Sequence, residues 1–156
     1  MREFVDYDHA VELNLHRSRT WFIIHLNSAP IHWFLKRQTS VETSSFGSEF
    51  IAMKQCCEYV RGLRYKLRMM GIPIELTTCV LGDNKYVLCN NYKTHSCLKN
   101  KLSSTALNFV RKGTPKDEWK TEYINMHSNP ADMLKKSLAG VDKRSKFIGY
   151  ILHYID

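Results

Sequence analysis

Acidic side chains near the ends of predicted strands and helices are the residues of this 156-residue chain best suited to carry out chemistry. Asp6 and Asp8 alternate in a predicted strand, so their carboxylates point to one sheet face, about 6 to 7 Å apart. Two like charges that face an apolar core each carry a desolvation cost on the order of several kcal/mol. The pair therefore indicates either a solvated strand end or a neutralising cation.

Three further acids occupy comparable places in the sequence. Glu49 falls in the expected first turn of a helix, Asp83 ends an apolar strand, and Asp132 follows Asn-Pro-Ala at a helix start. Each has an ordinary explanation as a helix-start or turn residue. Together with Asp6 they could converge on one sheet edge, and oxygen-rich clusters of this type bind Mg²⁺ or Mn²⁺. Two such ions about 3.5 to 4 Å apart can activate a water and stabilise both oxygens exchanged in phosphodiester hydrolysis.

Hydrophobic periodicity predicts the elements that must position these acids. Strand composition covers residues 2–8, 20–27, 30–36, 74–84 and 118–126. Helical spacing covers residues 44–70, 85–90, 97–112 and 142–155, and Pro130 after a Ser128 or Asn129 cap opens a further helix. The order β-β-β-α-β-α-β-α, without repeats or long linkers, predicts one α/β domain over residues 1–156. Such a series gives a mixed sheet with helices packed on its faces.

The charge balance favours a polyanionic partner. The formal net charge is +8, from 23 Lys and Arg against 15 Asp and Glu, so nucleic acid is the first candidate. A merely soluble basic protein is the alternative. The basic surface would bind the phosphate backbone of the nucleic acid next to the acids.

The sequence also predicts the compartment. No apolar run approaches the roughly 18 residues of a membrane span, and residues 1–30 lack the pattern of a signal peptide. Five cysteines without a C-x-x-C pair argue against a disulfide framework and against a zinc site. We expect a cytoplasmic or nuclear protein that is neither secreted nor membrane-bound.

Eight short sequence motifs occur in a fixed order along the chain and include the stretches that carry the four acids. They are DYDHA, HRSRT, APIHWFLKRQ, ETSSFGSEFIAMK, LRYKLRMMGIP, GDN, NFVRKG and NPADMLKKSL, and they span about residues 3–154. In order and spacing this series resembles the ribonuclease H domain of copia-type retrotransposon polyproteins. The resemblance implies a ribonuclease H fold, with a five-stranded mixed sheet and helices on both faces. It also implies Mg²⁺-dependent cleavage of the RNA strand of an RNA:DNA hybrid during reverse transcription.

The resemblance further implies a role for each acid. Asp6 would bridge two ions, Glu49 and Asp83 would hold the ion on the leaving-group side, and Asp132 would hold the ion that activates water. Asp8 matches a family position outside the metal set. The same resemblance implies an ancestral connection to reverse transcriptase and integrase, and we expect a monomer.

Basic side chains of two predicted helices are candidates for contacts to the hybrid backbone, with a solvated helix face as the alternative for each. The candidates are Arg61, Arg64, Arg68, Lys99, Lys101, Arg111 and Lys112. His127, five residues before Asp132, is a candidate neighbour of the metal site.

Departures from the family pattern keep two other functions open. Val11 and Trp21 stand where the family usually has glycine, and Gly47 stands where it usually has glutamate. Such changes resemble those of a decaying or domesticated copy, which would be a nucleic-acid-binding remnant without turnover or a protein-interaction module. Met1 directly before the first strand indicates a piece cut from a longer protein or a short reading frame left by a broken element.

Overall fold

Five strands form one mixed sheet in the computed structural model, which describes residues 1–8, 18–39, 45–92, 101–131, 145 and 148–149. The strands are β1 (Arg2–Asp8), β2 (Arg19–Leu26), β3 (Ala29–Arg37), β4 (Thr78–Gly82) and β5 (Trp119–Tyr123). Their spatial order is β3-β2-β1-β4-β5. The pairs β1–β2 and β2–β3 are antiparallel, whereas β1–β4 and β4–β5 are parallel. The predicted α/β class is confirmed.

A tight turn joins β2 to β3 and sets the antiparallel half of the sheet. The turn residues are Asn27 and Ser28, and Asn27 has a φ of 56°, a left-handed conformation that asparagine tolerates better than most residues. The β-branched and aromatic residues of β2 suit a strand that is buried along most of its length. The two predicted strands on either side of this turn are confirmed with small shifts at their ends.

Three α-helices lie in the described part of the chain: α1 (Ser45–Met69), α2 (Lys85–Tyr92) and α3 (Lys101–Gly113). The end of α1 is a left-handed glycine cap, in which Gly71 has a φ of 75° and the amide of Ile72 donates to the carbonyl of Leu67 at 3.0 Å. This cap explains why the predicted helix 44–70 is nearly coincident with α1. None of the helices in the described ranges is long and apolar enough to cross a bilayer.

The core lies between one face of the sheet and the helices α1, α2 and α3. Its large, fully buried side chains include Phe22, Ile24, Phe50, Met53, Val60, Val80, Leu107, Val110 and Trp119. Each such side chain contributes about 1.5 to 3 kcal/mol by leaving water. This packing fixes the position of α1 on the sheet, and therefore the position of every side chain that α1 carries.

Gly113, the last residue of α3, has no room for a side chain. A Cβ atom built there would lie 2.0 Å from the indole ring of Trp119. The indole Nε1 donates to the carbonyl of Val110 at 2.9 Å, so the ring is held in place from both sides. Glycine at the end of α3 is therefore a packing requirement.

Two predicted strands are longer than the strands in the structure. The apolar stretch 74–84 pairs only from Thr78 to Gly82, because Leu76 is largely exposed and its carbonyl accepts a hydrogen bond from the side chain of Arg64. The stretch 118–126 pairs only from Trp119 to Tyr123, and a 3₁₀ turn occupies Met126–Ser128. The helix predicted after Pro130, residues 97–100 of the predicted helix 97–112 and most of the predicted helix 142–155 fall outside the described residues.

Candidate active site

Asp6 lies in the central strand β1, between β2 and β4, and is 4% exposed. The parallel register of β1 and β4 ends at the pair Phe4 and Leu81, and Asp6 and Asp83 each follow this pair by two residues in the sequence. Neighbouring strands lie about 4.8 Å apart, so these two acids share one edge of the sheet. Asp83 follows the last residue of β4 and is half-buried. Asp6, near the end of β1, and Asp83, after the end of β4, therefore both lie toward the carboxyl ends of these parallel strands.

Glu49 reaches this region from α1 and is 5% exposed. Because α1 begins at Ser45, Glu49 lies in the second turn and not in the predicted first turn, where the helix dipole favours an anion most. Its charge is met instead by the side-chain amide of Asn84, whose Nδ2 donates to Oε2 of Glu49 at 2.7 Å. Asn84 directly follows Asp83, so this bond ties Glu49 to the end of β4.

Buried polar contacts fix the start of α1 against the sheet. The side-chain amide of Gln38, 1% exposed, donates to the backbone carbonyl of Ser48 at 2.9 Å and to Oγ1 of Thr20 at 3.1 Å. The hydroxyls of Ser18 and Ser48 lie 2.8 Å apart and share a hydrogen bond. These contacts connect Ser48, the residue before Glu49, to Ser18 and Thr20 at the start of β2. Sequence reasoning did not find Gln38, since a glutamine after a basic strand end reads as a surface residue.

Asn129 connects the segment before Asp132 to β1. Its Nδ2 donates to the carbonyl of Val5 at 3.0 Å, and its Oδ1 accepts from the amide of Ala131 at 3.1 Å. Both Asn129 and Ala131 are buried. Asp132 itself lies outside the described residues, but Asn129, three residues before it, is bonded to Val5, the residue that precedes Asp6. The cap predicted at Asn129 therefore also anchors this segment to the sheet.

A divalent cation suits this edge by donor type, since carboxylate oxygens are the ligands that Mg²⁺ prefers. Across the described ranges, however, no group of three or more His, Cys, Asp or Glu side chains is arranged to hold a metal ion. His127 is exposed in its 3₁₀ turn, and its predicted approach to the metal site receives no support.

Arg64 is a correction to the predicted set of backbone contacts. Its side chain is 4% exposed, and Nη1 donates to the carbonyl of Leu76 at 2.8 Å and to Oγ1 of Thr78 at 3.1 Å. A guanidinium committed to the entry into β4 cannot reach a nucleic-acid backbone. The helical spacing that placed Arg64 among surface residues did not reveal this long-range contact.

Arg61 is only partly available to a ligand. Its guanidinium donates to the carboxylate of Glu118 at 2.6 and 2.9 Å and lies 4.5 Å from the ring centroid of Phe109 and 5.0 Å from that of Trp119. The ion pair links α1 to the start of β5, and 40% of the Arg61 side chain remains exposed to solvent.

The remaining basic candidates divide between structural and exposed positions. Arg111 donates to the carbonyl of Asn90 at 2.7 and 3.2 Å and so joins α3 to α2. Arg68, Lys101 and Lys112 are exposed, and Lys99 lies outside the described residues.

A separate cluster lies on β4 and β5. The thiol of Cys79 donates to Oε2 of Glu122 at 3.2 Å, while Lys120 pairs with the other oxygen of Glu122 at 2.6 Å. Partial burial, with the neighbouring carboxylate of Glu122, raises the pKa of the Cys79 thiol to about 11. The hydrogen bond from Lys120 lowers the pKa of Glu122. This thiol is therefore a poor nucleophile at neutral pH.

Solved structures of ribonucleases H are similar to the chain over most of its length. LC11-RNase H1, isolated from compost by a metagenomic approach, has a TM-score of 0.62 at 14% identity, covering 85% of this chain and 90% of that one. The same protein in complex with an RNA/DNA hybrid has a TM-score of 0.57 at 14% identity, covering 85% and 91%. The N-terminal RNase H domain of a Mycobacterium tuberculosis protein has a TM-score of 0.57 at 11% identity, covering 96% and 95%. The chain has the ribonuclease H fold.

Sequence relatives give the more particular assignment. The chain is 24% identical over 143 residues to the retrovirus-related Pol polyprotein from transposon RE2 of Arabidopsis thaliana, covering 90% of this chain. It is 24% identical over 141 residues to the corresponding polyprotein from transposon RE1, covering 89%. The chain spans 10% of the length of these polyproteins, and no family model matches it. The predicted resemblance to the ribonuclease H domain of a retrotransposon polyprotein is confirmed.

Proposed function

We propose that the chain is the ribonuclease H domain of a copia-type retrotransposon and cleaves the RNA strand of RNA:DNA hybrids. The observation that carries this proposal is the burial of the Asp6 carboxylate in the central strand, toward the end of the sheet where Asp83 follows β4. Carboxylates in this position are suited to hold the cations of a cation-dependent hydrolase. The similarity to a ribonuclease H that was solved with an RNA/DNA hybrid supports the choice of substrate.

In this proposal Asp6, Glu49, Asp83 and Asp132 hold two Mg²⁺ or Mn²⁺ ions. When bound, the ions would supply an activated water and stabilise the oxygens that attack and leave. The chain contributes the orientation of its acids: Asn84 holds Glu49, and Asn129 holds the segment that precedes Asp132.

The exposed basic residues would hold the hybrid. Among the predicted contacts, we propose Arg68, Lys101 and Lys112, together with Lys99, as the side chains that neutralise phosphates. The polyprotein relatives support an origin beside reverse transcriptase and integrase. We propose that the domain is monomeric and acts in the cytoplasm or nucleus.

A binding remnant without turnover is the second candidate, and Trp21 favours it. Trp21 is the register partner of Asp6 and is buried, so a large indole lies beside the acid where the family usually has glycine. A remnant would bind hybrid with a strong salt dependence but would leave it intact.

Hydrolysis of an end-labelled RNA:DNA hybrid in Mg²⁺ or Mn²⁺ tests the proposal. We expect the parent to cleave and Asp83→Asn to lose at least about 100-fold in rate, as for other groups that stabilise charge in a transition state. Glu58→Gln is the matched control, because Glu58 is an exposed acid of α1 that pairs with Lys54. Intact hybrid with every metal would reject the nuclease and leave the remnant, whereas equal cleavage by Asp83→Asn would reject the proposed catalytic role of Asp83.

A further inference from the structure

Asn84 makes more side-chain hydrogen bonds than a turn residue requires. Its Oδ1 accepts from the backbone amides of Tyr86 at 2.9 Å and Val87 at 3.3 Å, which makes it the N-cap of α2. Its Nδ2 donates to Oε2 of Glu49 at 2.7 Å. The same side chain therefore caps one helix and binds an acid of another.

The cap determines which way the amide faces. An asparagine has one acceptor oxygen and one donor nitrogen, and two backbone N–H groups require the oxygen on the side of α2. The nitrogen must then face Glu49, because the flipped amide would place donors against donors and an oxygen against a carboxylate. The orientation of Asn84 toward Glu49 is thus imposed by the start of α2.

Neighbouring contacts make this arrangement stiff. The amide of Leu88 donates to the carbonyl of Asn84 at 3.2 Å, closing the first turn of α2. The ring of Tyr86 meets the ring of Phe46 edge-on, with centroids 5.4 Å apart, so the starts of α1 and α2 also pack together. A hydrogen bond to a carboxylate at 2.7 Å is of the strong, charge-assisted type.

We propose that Asn84 is a positioning residue that fixes the Glu49 carboxylate for cation binding, with the cap of α2 as its fixed support. The proposal rests on the proposed function, in which Glu49 is an ion ligand. By holding Oε2, Asn84 restricts the rotation of the carboxylate and so sets the direction of its other oxygen. Residues that orient ligands in this way commonly change metal affinity by about 10-fold to 100-fold when they are replaced.

Asn84→Ser separates the two roles of the side chain. A serine hydroxyl caps a helix about as well as asparagine, but it is too short to replace the amide donor at Glu49. We expect the variant to remain folded with the cap of α2 intact, to lose only the stability that the Glu49 bond contributes, and to bind Mn²⁺ about 10-fold more weakly in a calorimetric titration. In hybrid cleavage, kcat should fall while KM stays unchanged. Parental Mn²⁺ affinity in Asn84→Ser, with weakened affinity in Glu49→Ala, would overturn the proposal.

A second measurement does not depend on activity. The side-chain amide of Asn84 gives its own pair of signals in a ¹⁵N–¹H correlation spectrum, and Glu49→Ala should shift them and speed their exchange with water. Glu58→Ala is the matched control and should leave them in place. Unchanged Asn84 signals in Glu49→Ala would refute the contact itself. A parent that shows these shifts but neither binds Mn²⁺ nor cleaves would instead refute the proposed function and, with it, a role in cation binding.

Discussion

Replacing Arg64 tests whether its guanidinium supports the fold or contacts nucleic acid. Arg64→Ala removes the two hydrogen bonds to Leu76 and Thr78 and the packed stem of a side chain that is 4% exposed. Arg64→Met removes the guanidinium but keeps most of the stem. The loss of unfolding free energy in Arg64→Met therefore measures the polar contacts. The additional loss in Arg64→Ala measures the packing of the stem.

The expected loss follows from the burial and the charge. Hydrogen bonds from a charged donor contribute about 1.5 to 3 kcal/mol, and the lost stem adds to this, so Arg64→Ala should cost about 2 to 4 kcal/mol. For a chain of this size each kcal/mol lowers the unfolding temperature by about 2 to 4 °C, which gives roughly 5 to 15 °C in total. Arg64→Met, which removes the hydrogen bonds but keeps most of the stem, should account for the larger part of this loss.

Thermal unfolding and a salt series of nucleic-acid binding together provide the assay. Arg68→Ala is the matched control, because Arg68 is exposed one turn further along the same helix. It should leave the unfolding temperature unchanged and reduce the slope of log K against log salt by about 1. An Arg64→Ala variant that unfolds at the parental temperature and changes the salt slope as Arg68→Ala does would refute a structural role for Arg64.

Two further predictions concern other parts of the fold. Gly113→Ala places a Cβ 2.0 Å from the ring of Trp119 and should cost about 1 to 3 kcal/mol, read from the urea midpoint; parental stability would contradict the packing. Cys79, with a pKa near 11, should react slowly with iodoacetamide at pH 8 and faster as the pH rises toward 11, while the exposed Cys89 reacts readily throughout. Glu122→Gln should increase the reaction rate of Cys79, because the carboxylate of Glu122 helps to raise the pKa of the thiol. An unchanged rate would contradict this effect.

Local signals predicted most of the secondary structure. The three- and four-residue spacing of apolar side chains and the glycine after them define α1 almost completely, because the cap at Gly71 depends only on nearby backbone atoms. The strands on either side of the Asn27 turn were predictable for the same reason. The sequence predicted the order of elements along the chain, but the spatial order of the strands depends on tertiary contacts and was not predicted.

Contacts between distant residues could not be predicted in this way. Arg64 and Gln38 read as surface residues in their own segments, and only the tertiary fold turns them inward. The partnership of Asn84 with Glu49 crosses 35 residues, and no local pattern distinguishes it from an ordinary turn. Hydrophobic periodicity indicates which face of a helix or strand is buried. These polar contacts depend instead on which other helix or strand packs against that face in the folded domain.

The bond from Asn129 to the carbonyl of Val5 joins residues 124 positions apart in the chain. Contacts of such long range close large loops and generally form late in folding, after local helices and hairpins. The edge that carries Asp6 is therefore completed only when nearly the whole domain has been synthesised. In a ribosome-bound chain, the β2–β3 hairpin and α1 can form before Asn129 has emerged from the ribosome. The segment that leads to Asp132 is not yet anchored beside β1 at that stage.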